Sequence, residues 1–111
     1  MAYDEGLAQR IREALDELRP PALVEKKMFG GIGFMVQGNM ACGVNKDKLI
    51  VRVGPAAYQE ALTRPRAMEF DITGRPMKGW VMVAEEGCET EQVLRQWVRE
   101  GVAFALTLPA K

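Results

Sequence analysis

Apolar positions recur at helical spacing near both ends of the chain and at strand spacing between them. At the start, Leu7, Ile11, Leu15 and Leu18 follow one another at helical intervals with Ala8 and Ala14 beside them. Glu5, Arg10, Arg12, Glu13, Asp16 and Glu17 take the remaining positions. This predicts an amphipathic helix with one buried stripe, capped by Asp4 and ended by Pro20-Pro21, since proline lacks the amide donor and biases its predecessor away from helix.

The middle of the chain reads as strands. Leu23 to Met28 leads extended into Gly30-Gly31-Ile32-Gly33, and Phe34-Met35-Val36 continues it, so that residues 23–36 are expected to form one bent strand. Gln37-Gly38-Asn39 turns the chain, Met40 to Val44 returns, and Asn45 to Lys48 turns again. Leu49 to Val53 is the clearest strand by its β-branched content. Gly54-Pro55 breaks it and opens a short helix through Tyr58, Ala61 and Leu62. Met68 to Ile72 alternates apolar and acidic residues, the pattern of a strand with one wet face. Thr73-Gly74-Arg75-Pro76 turns it, and Met77 to Val83 returns. Thr90 caps a last helix with Glu91 in its first turn, and Val93, Leu94, Trp97, Val98, Val102, Ala105 and Leu106 form its stripe. The order α-β-β-β-α-β-β-α, with hairpin-joined strands and segregated helices, predicts an α+β two-layer domain on a five-stranded, mainly antiparallel open sheet.

Three glycines, Gly30, Gly31 and Gly33, lie within four residues and are fenced by Met28, Phe29, Ile32 and Phe34. Glycine reaches positive φ without steric cost, so at least one of them is expected in a conformation that other residues avoid. A phosphate cradle would need a following helix whose amides face the anion, and Phe34 to Asn39 reads as strand and turn instead.

Composition narrows the chemistry. The 111 residues fit one domain spanning the whole chain. No apolar run reaches the length of a membrane span, and the acidic, amphipathic start is unlike a signal peptide, so a cytoplasmic protein without membrane partners is expected. Cys42 and Cys88 are too few for a disulfide framework and lack metal-ligand spacing. The absence of histidine removes the commonest general base and metal ligand. No catalytic residue, metal site or cofactor is therefore expected. Glu69/Asp71 and Glu85-Glu86 are carboxylate pairs that read as solvated faces without a third ligand.

Net charge is zero, yet Lys26 to Lys78 holds nine Lys/Arg against four Asp/Glu, a balance of +5. Lys26, Lys27, Arg64, Arg66, Arg75 and Lys78 are the candidate basic contacts, with Lys27 and Phe29 favoured if the bend presents them together. Such a segment suits an acidic partner or nucleic acid, although the neutral total argues against strong autonomous DNA binding. Trp80 and Trp97 read as core. Met28, Met35, Met40, Met68, Met77 and Met82, on or beside strands, read as packing or as an adaptable binding face.

The block Met28-Phe29-Gly30-Gly31-x-Gly33-Phe34, followed by Gly38, resembles the N-terminal domain of TfoX/Sxy-type competence regulators. A second block, Asp71-Ile72-Thr73-Gly74-Arg75-Pro76-Met77-Lys78-Gly79-Trp80-Val81, is similar to small stand-alone members, as is the ending Leu108-Pro109-Ala110-Lys111. The resemblance implies an open antiparallel sheet with helices on one side, in a fold similar to secretion-chaperone-like dimers of bacterial origin. It also implies a non-enzymatic regulatory or adaptor domain working through protein contacts, with a nucleic-acid-associated domain or a small-molecule enzyme as alternatives. No catalytic residue belongs to the motif. An open sheet with two edges and partial helix cover, together with the resemblance, leads to the expectation of a homodimer.

Overall fold

A computed structural model of the chain describes residues 3–28, 30–71 and 77–110, with Met28 described by its backbone. Helix α1 spans Glu5–Leu18, capped by Asp4, whose carboxylate accepts from the Leu7 amide at 3.1 Å. Strands β1 (Leu23–Met28), β2 (Gly31–Val36), β3 (Asn39–Asn45) and β4 (Lys48–Arg52) follow. A single helical turn, α2 (Tyr58–Ala61), leads to β5 (Ala67–Glu69) and β6 (Trp80–Val83). A 3-10 turn at Glu85–Gly87 then precedes α3 (Glu91–Leu106). Thr90 caps α3 by accepting from the Val93 amide at 3.2 Å.

The sheet order is β1-β2-β3-β4-β6-β5, and every neighbouring pair is antiparallel. The fold is α+β, as the sequence predicts, but the sheet has six strands where five were expected. The expected bent strand is a hairpin: Met28 pairs with Gly31, so β1 and β2 run antiparallel, and Gly30 takes φ +71°. Phe29 itself lies outside the described residues, as do Ile72, Thr73, Gly74, Arg75 and Pro76. The next hairpin turns through Gln37 and Gly38 at φ +53° and +84°. Two successive positive φ angles match the right-handed twist of the paired strands.

Both long helices pack on the same face of the sheet. Leu7, Ile11 and Leu15 of α1 and Leu94, Trp97, Val98 and Val102 of α3 share one buried cluster with Ile32, Phe34, Val36, Cys42, Val44, Leu49, Val51, Val81 and Val83. Burying a side chain of this kind contributes about 1.5–3 kcal/mol. The helices sit close because α3 presents Gly101 to the carbonyl of Ala41, at a bulge where β3 gains a residue against Phe34/Met35 of β2. Buried Asn39 ties the end of the chain to β3, its side-chain amide donating to the Pro109 carbonyl at 3.0 Å. Leu18, Val93 and Leu106, expected in buried stripes, are 36%, 39% and 45% exposed because they lie at the margins of the helix-sheet contact. Among the described residues no helix is long and apolar enough to cross a membrane.

Candidate interaction surface

The strand register resolves each face of the sheet into rows. On the helix side, one row runs Glu25, Phe34, Cys42, Val51, Val81, Glu69, and the next Lys27, Ile32, Val44, Leu49, Val83, Ala67. Successive side chains alternate faces, so the residues between these rows point away from the helices. There the register aligns Lys26, Gly33, Gly43, Ile50, Met82 and Met68 across all six strands. The adjacent row pairs Val24 with Met35, Met35 with Met40, and Arg52 with Trp80.

This second face is apolar without a helix to cover it. Ile50 and Phe70 are only 3% and 6% exposed, yet both lie outside the cluster under the helices. Met35, Met40, Met68, Met82 and Trp80 around them are half-buried, and Val24 is exposed. Trp80 is therefore not the core residue its pattern predicts. Its ring lies 6.1 Å from that of Phe70, and the Arg52 guanidinium stands 5.0 Å from it and 5.5 Å from the ring of Phe104. On β5, Glu69 is exposed, as the alternation predicts, although its side chain is not on the helix-free face. Glu69 turns to the helix side at the sheet edge and accepts from the Tyr58 hydroxyl at 3.4 Å, while Met68 faces away from the helices. Burial and the Glu69 charge push the Tyr58 hydroxyl above its ordinary pKa.

Charge on this face has one sign. At its described strand positions the ionisable residues are Lys26, Lys48 and Arg52, and no carboxylate is among them. Lys48 is paired with Asp47 of the neighbouring turn at 3.1 Å, which lowers the Asp47 carboxyl. Lys26 and Arg52 have no carboxylate partner among the described residues.

The basic residues singled out from sequence do not converge. Lys26 and Lys27 alternate to opposite sides of β1, and Lys78 is exposed in the turn before β6. Arg66 is exposed with φ +61° after α2. Arg64 is already engaged: its guanidinium donates to Glu60 at 2.6 and 2.9 Å and to Glu100 at 2.6 and 2.9 Å, and stands 4.6 Å from the Trp97 ring. These hydrogen bonds raise its pKa and lower that of Glu60. Arg75 and Phe29 lie outside the described residues. Lys48 and Arg52 were missed because they sit singly inside apolar strands, where only the register shows that they share a face.

One open cavity of about 370 Å³ lies between the α2–β5 connection and α3, lined by Arg64, Pro65, Glu86, Glu89, Val93 and Trp97 among others. Its guanidinium is neutralised by Glu60 and Glu100. Among the described residues no group of three or more Cys, Asp or Glu could hold a metal ion. Both thiols are buried; burial alone pushes Cys42 up to about 12, and burial, opposed by nearby Arg10, pushes Cys88 up to about 11.

The family model for the TfoX N-terminal domain matches residues 5–105. The chain belongs to that family. The match spans both helices and the whole sheet, so the face described above is part of the TfoX N-terminal domain itself and not an addition to it. No curated protein and no solved structure matched the chain.

Proposed function

We propose that this TfoX N-terminal domain is a non-enzymatic regulatory or adaptor module, related through its family to competence regulators, that works by binding another protein on the helix-free face of its sheet. The observation that carries the reading is that the sheet is apolar on both sides while the two long helices pack on one. The half-buried methionines and Trp80 of that face keep apolar surface in contact with water, which is unfavourable until something lies on it. Methionine suits such a surface because its unbranched, polarisable side chain repacks around different partners.

Two further expectations attach to this reading. A nucleic-acid role is less well supported, because Arg64, the best-placed of the predicted cations, is committed to Glu60 and Glu100. Self-association has its natural seat at β1, a six-residue edge strand on which Leu23 and Val24 are 37% and 57% exposed. Face-to-face pairing would instead bring Lys26 and Arg52 of two copies together.

The test is site-specific photo-crosslinking in cells of a naturally transformable bacterium. A photoreactive residue at Met82 should yield a discrete adduct with another protein, and the same group at Glu13, on the outer side of α1, should not. Equal adducts from both sites, or none from Met82, would remove the assignment.

A further inference from the structure

We infer that the helix-free face is built to receive an acidic amphipathic helix, one whose apolar stripe is flanked by Asp or Glu. This inference rests on the protein-contact reading above and names the chemistry of the partner.

The first observation is shape. Gly33 and Gly43 are paired at the centre of the face and both are buried, and a Cβ added at Gly43 would lie 2.9 Å from the Met40 methyl, so this methionine lies over the glycines and forms an apolar floor between β1 and β4. Val24 and Lys26 stand on one side of it and Ile50 on the other, with Met82 and Met68 beyond. Three strand spacings separate β1 from β4, about 14 Å. A helix with its side chains is about 10–12 Å across, so the interval from β1 to β4 is wide enough for one, seated on methionines that can adjust to it.

The second observation is charge. Lys26 lies on the β1 side of that floor and Arg52, beside the rings of Trp80 and Phe104, on the β4 side, both without carboxylate partners among the described residues, whereas Lys48 is already paired with Asp47. Cations on both flanks of an apolar floor complement a helix with acids on both sides of its apolar stripe. The same arrangement disfavours a second copy on this face, since an isologous contact would oppose the like charges. Single-stranded nucleic acid is disfavoured on a different ground, the aromatic side chains. Base stacking needs a free aromatic face, whereas Trp80 is flanked by Arg52 and Phe70, and Phe70 is buried.

The test uses the full chain and three labelled probes: an 18-residue helical peptide with a Leu/Met stripe flanked by Glu, the same peptide with Lys in place of Glu, and a 20-nucleotide oligothymidine. Fluorescence anisotropy should show the Glu peptide binding at least about tenfold more tightly than the Lys peptide, with the margin shrinking as salt rises. Lys26→Glu, an exposed position on β1, should weaken the Glu peptide about threefold or more and strengthen the Lys peptide. That reversal is something a folding defect cannot produce. Arg52→Gln should act in the same direction on the Glu peptide.

Equal binding of the two peptides would overturn the charge inference, leaving the apolar surface as it stands. No peptide binding alongside a positive Met82 crosslink would overturn the inference but not the protein-contact reading. Oligothymidine displacing the Glu peptide would overturn it in favour of nucleic acid.

Discussion

Gly101 of α3 rests directly against the carbonyl oxygen of Ala41, and a methyl group at position 101 would overlap that oxygen and approach Val51 Cγ1 to 3.3 Å. Helix propensity alone favours alanine over glycine by about 1 kcal/mol. Here the contact decides the sign. Backbone cannot swing aside as a side chain can, so Gly101→Ala should push α3 away from β3 and destabilise the domain by about 1–3 kcal/mol net. Thermal unfolding should show a lower midpoint. A raised midpoint would mean that α3 does not sit where the contact with Ala41 puts it.

Gly30 and Gly31 should fail in different ways. Gly30 has φ +71° but open space around its Cβ position, so Gly30→Ala incurs backbone strain of about 1 kcal/mol and Gly30→Asn, which tolerates that region, recovers much of it. A Cβ at Gly31 would overlap the Val44 carbonyl across the β2–β3 pair. Gly31→Ala should therefore be the more damaging of the two, and Asn there should rescue nothing. Urea titration of the variants separates strain from collision; equal losses at the two sites would contradict this account.

The same glycines show where the sequence was legible and where it was not. Helix ends were readable because Asp4 and Thr90 are local signals, and the strands from Met40 to Val53 were readable from β-branched content and short turns. The hairpin of β1 and β2 was not, because a glycine that reverses a chain and one that bends a strand look alike until the pairing of Met28 with Gly31 is known. Trp80 and Glu69 show the larger difficulty. Period-two alternation says which residues share a face but not which face meets the helices, and on this sheet both faces are apolar. The strand Met68-Glu69 then suggests a core-facing methionine, whereas Met68 lies on the helix-free face; Glu69 is exposed as expected, but at the sheet edge beside Tyr58. The cationic face was invisible for a related reason: Lys26, Lys48 and Arg52 come from two strands separated in sequence and become neighbours only through the register.

Arg64 joins α2 to α3 by bonding Glu60 and Glu100 while covering Trp97. Arg64→Ala should destabilise by about 1–2 kcal/mol, through lost hydrogen bonds and lost packing on the ring. Arg64→Lys should recover little of this, because an ammonium cannot reproduce the planar fork that serves two carboxylates. The pH dependence follows from Glu60, whose carboxyl lies below its ordinary 4.5 because of the Arg64 hydrogen bonds. A lowered folded-state pKa gives stabilisation that is complete above the unfolded value and is lost as pH falls through the folded one. Glu60→Gln should therefore flatten the stability profile below about pH 4.5 and leave its slope near neutrality unchanged. An unchanged acid limb would show that Glu60 contributes nothing to it.

The two thiols give a sign in the opposite pH range. Burial raises Cys42 from 9.0 to about 12 and Cys88 from 9.0 to about 11, so in the folded protein both resist ionisation at pH 8. At that pH the thiolate fraction would be about one in ten thousand for Cys42 and one in a thousand for Cys88, and the thiolate is the reactive form. Native protein should therefore react with a disulfide reagent far more slowly than unfolded protein, at a rate set by opening of the sheet and of the turn before α3. An acid whose pKa is raised by folding contributes stability that is full below the unfolded value and is lost as pH rises toward the folded one. Stability should accordingly fall between pH 9.0 and about 12, and Cys42→Ala should soften that decline although it removes a sulfur from the core. Rapid stoichiometric labelling of the native protein at pH 8 would place at least one thiol at the surface and break the argument.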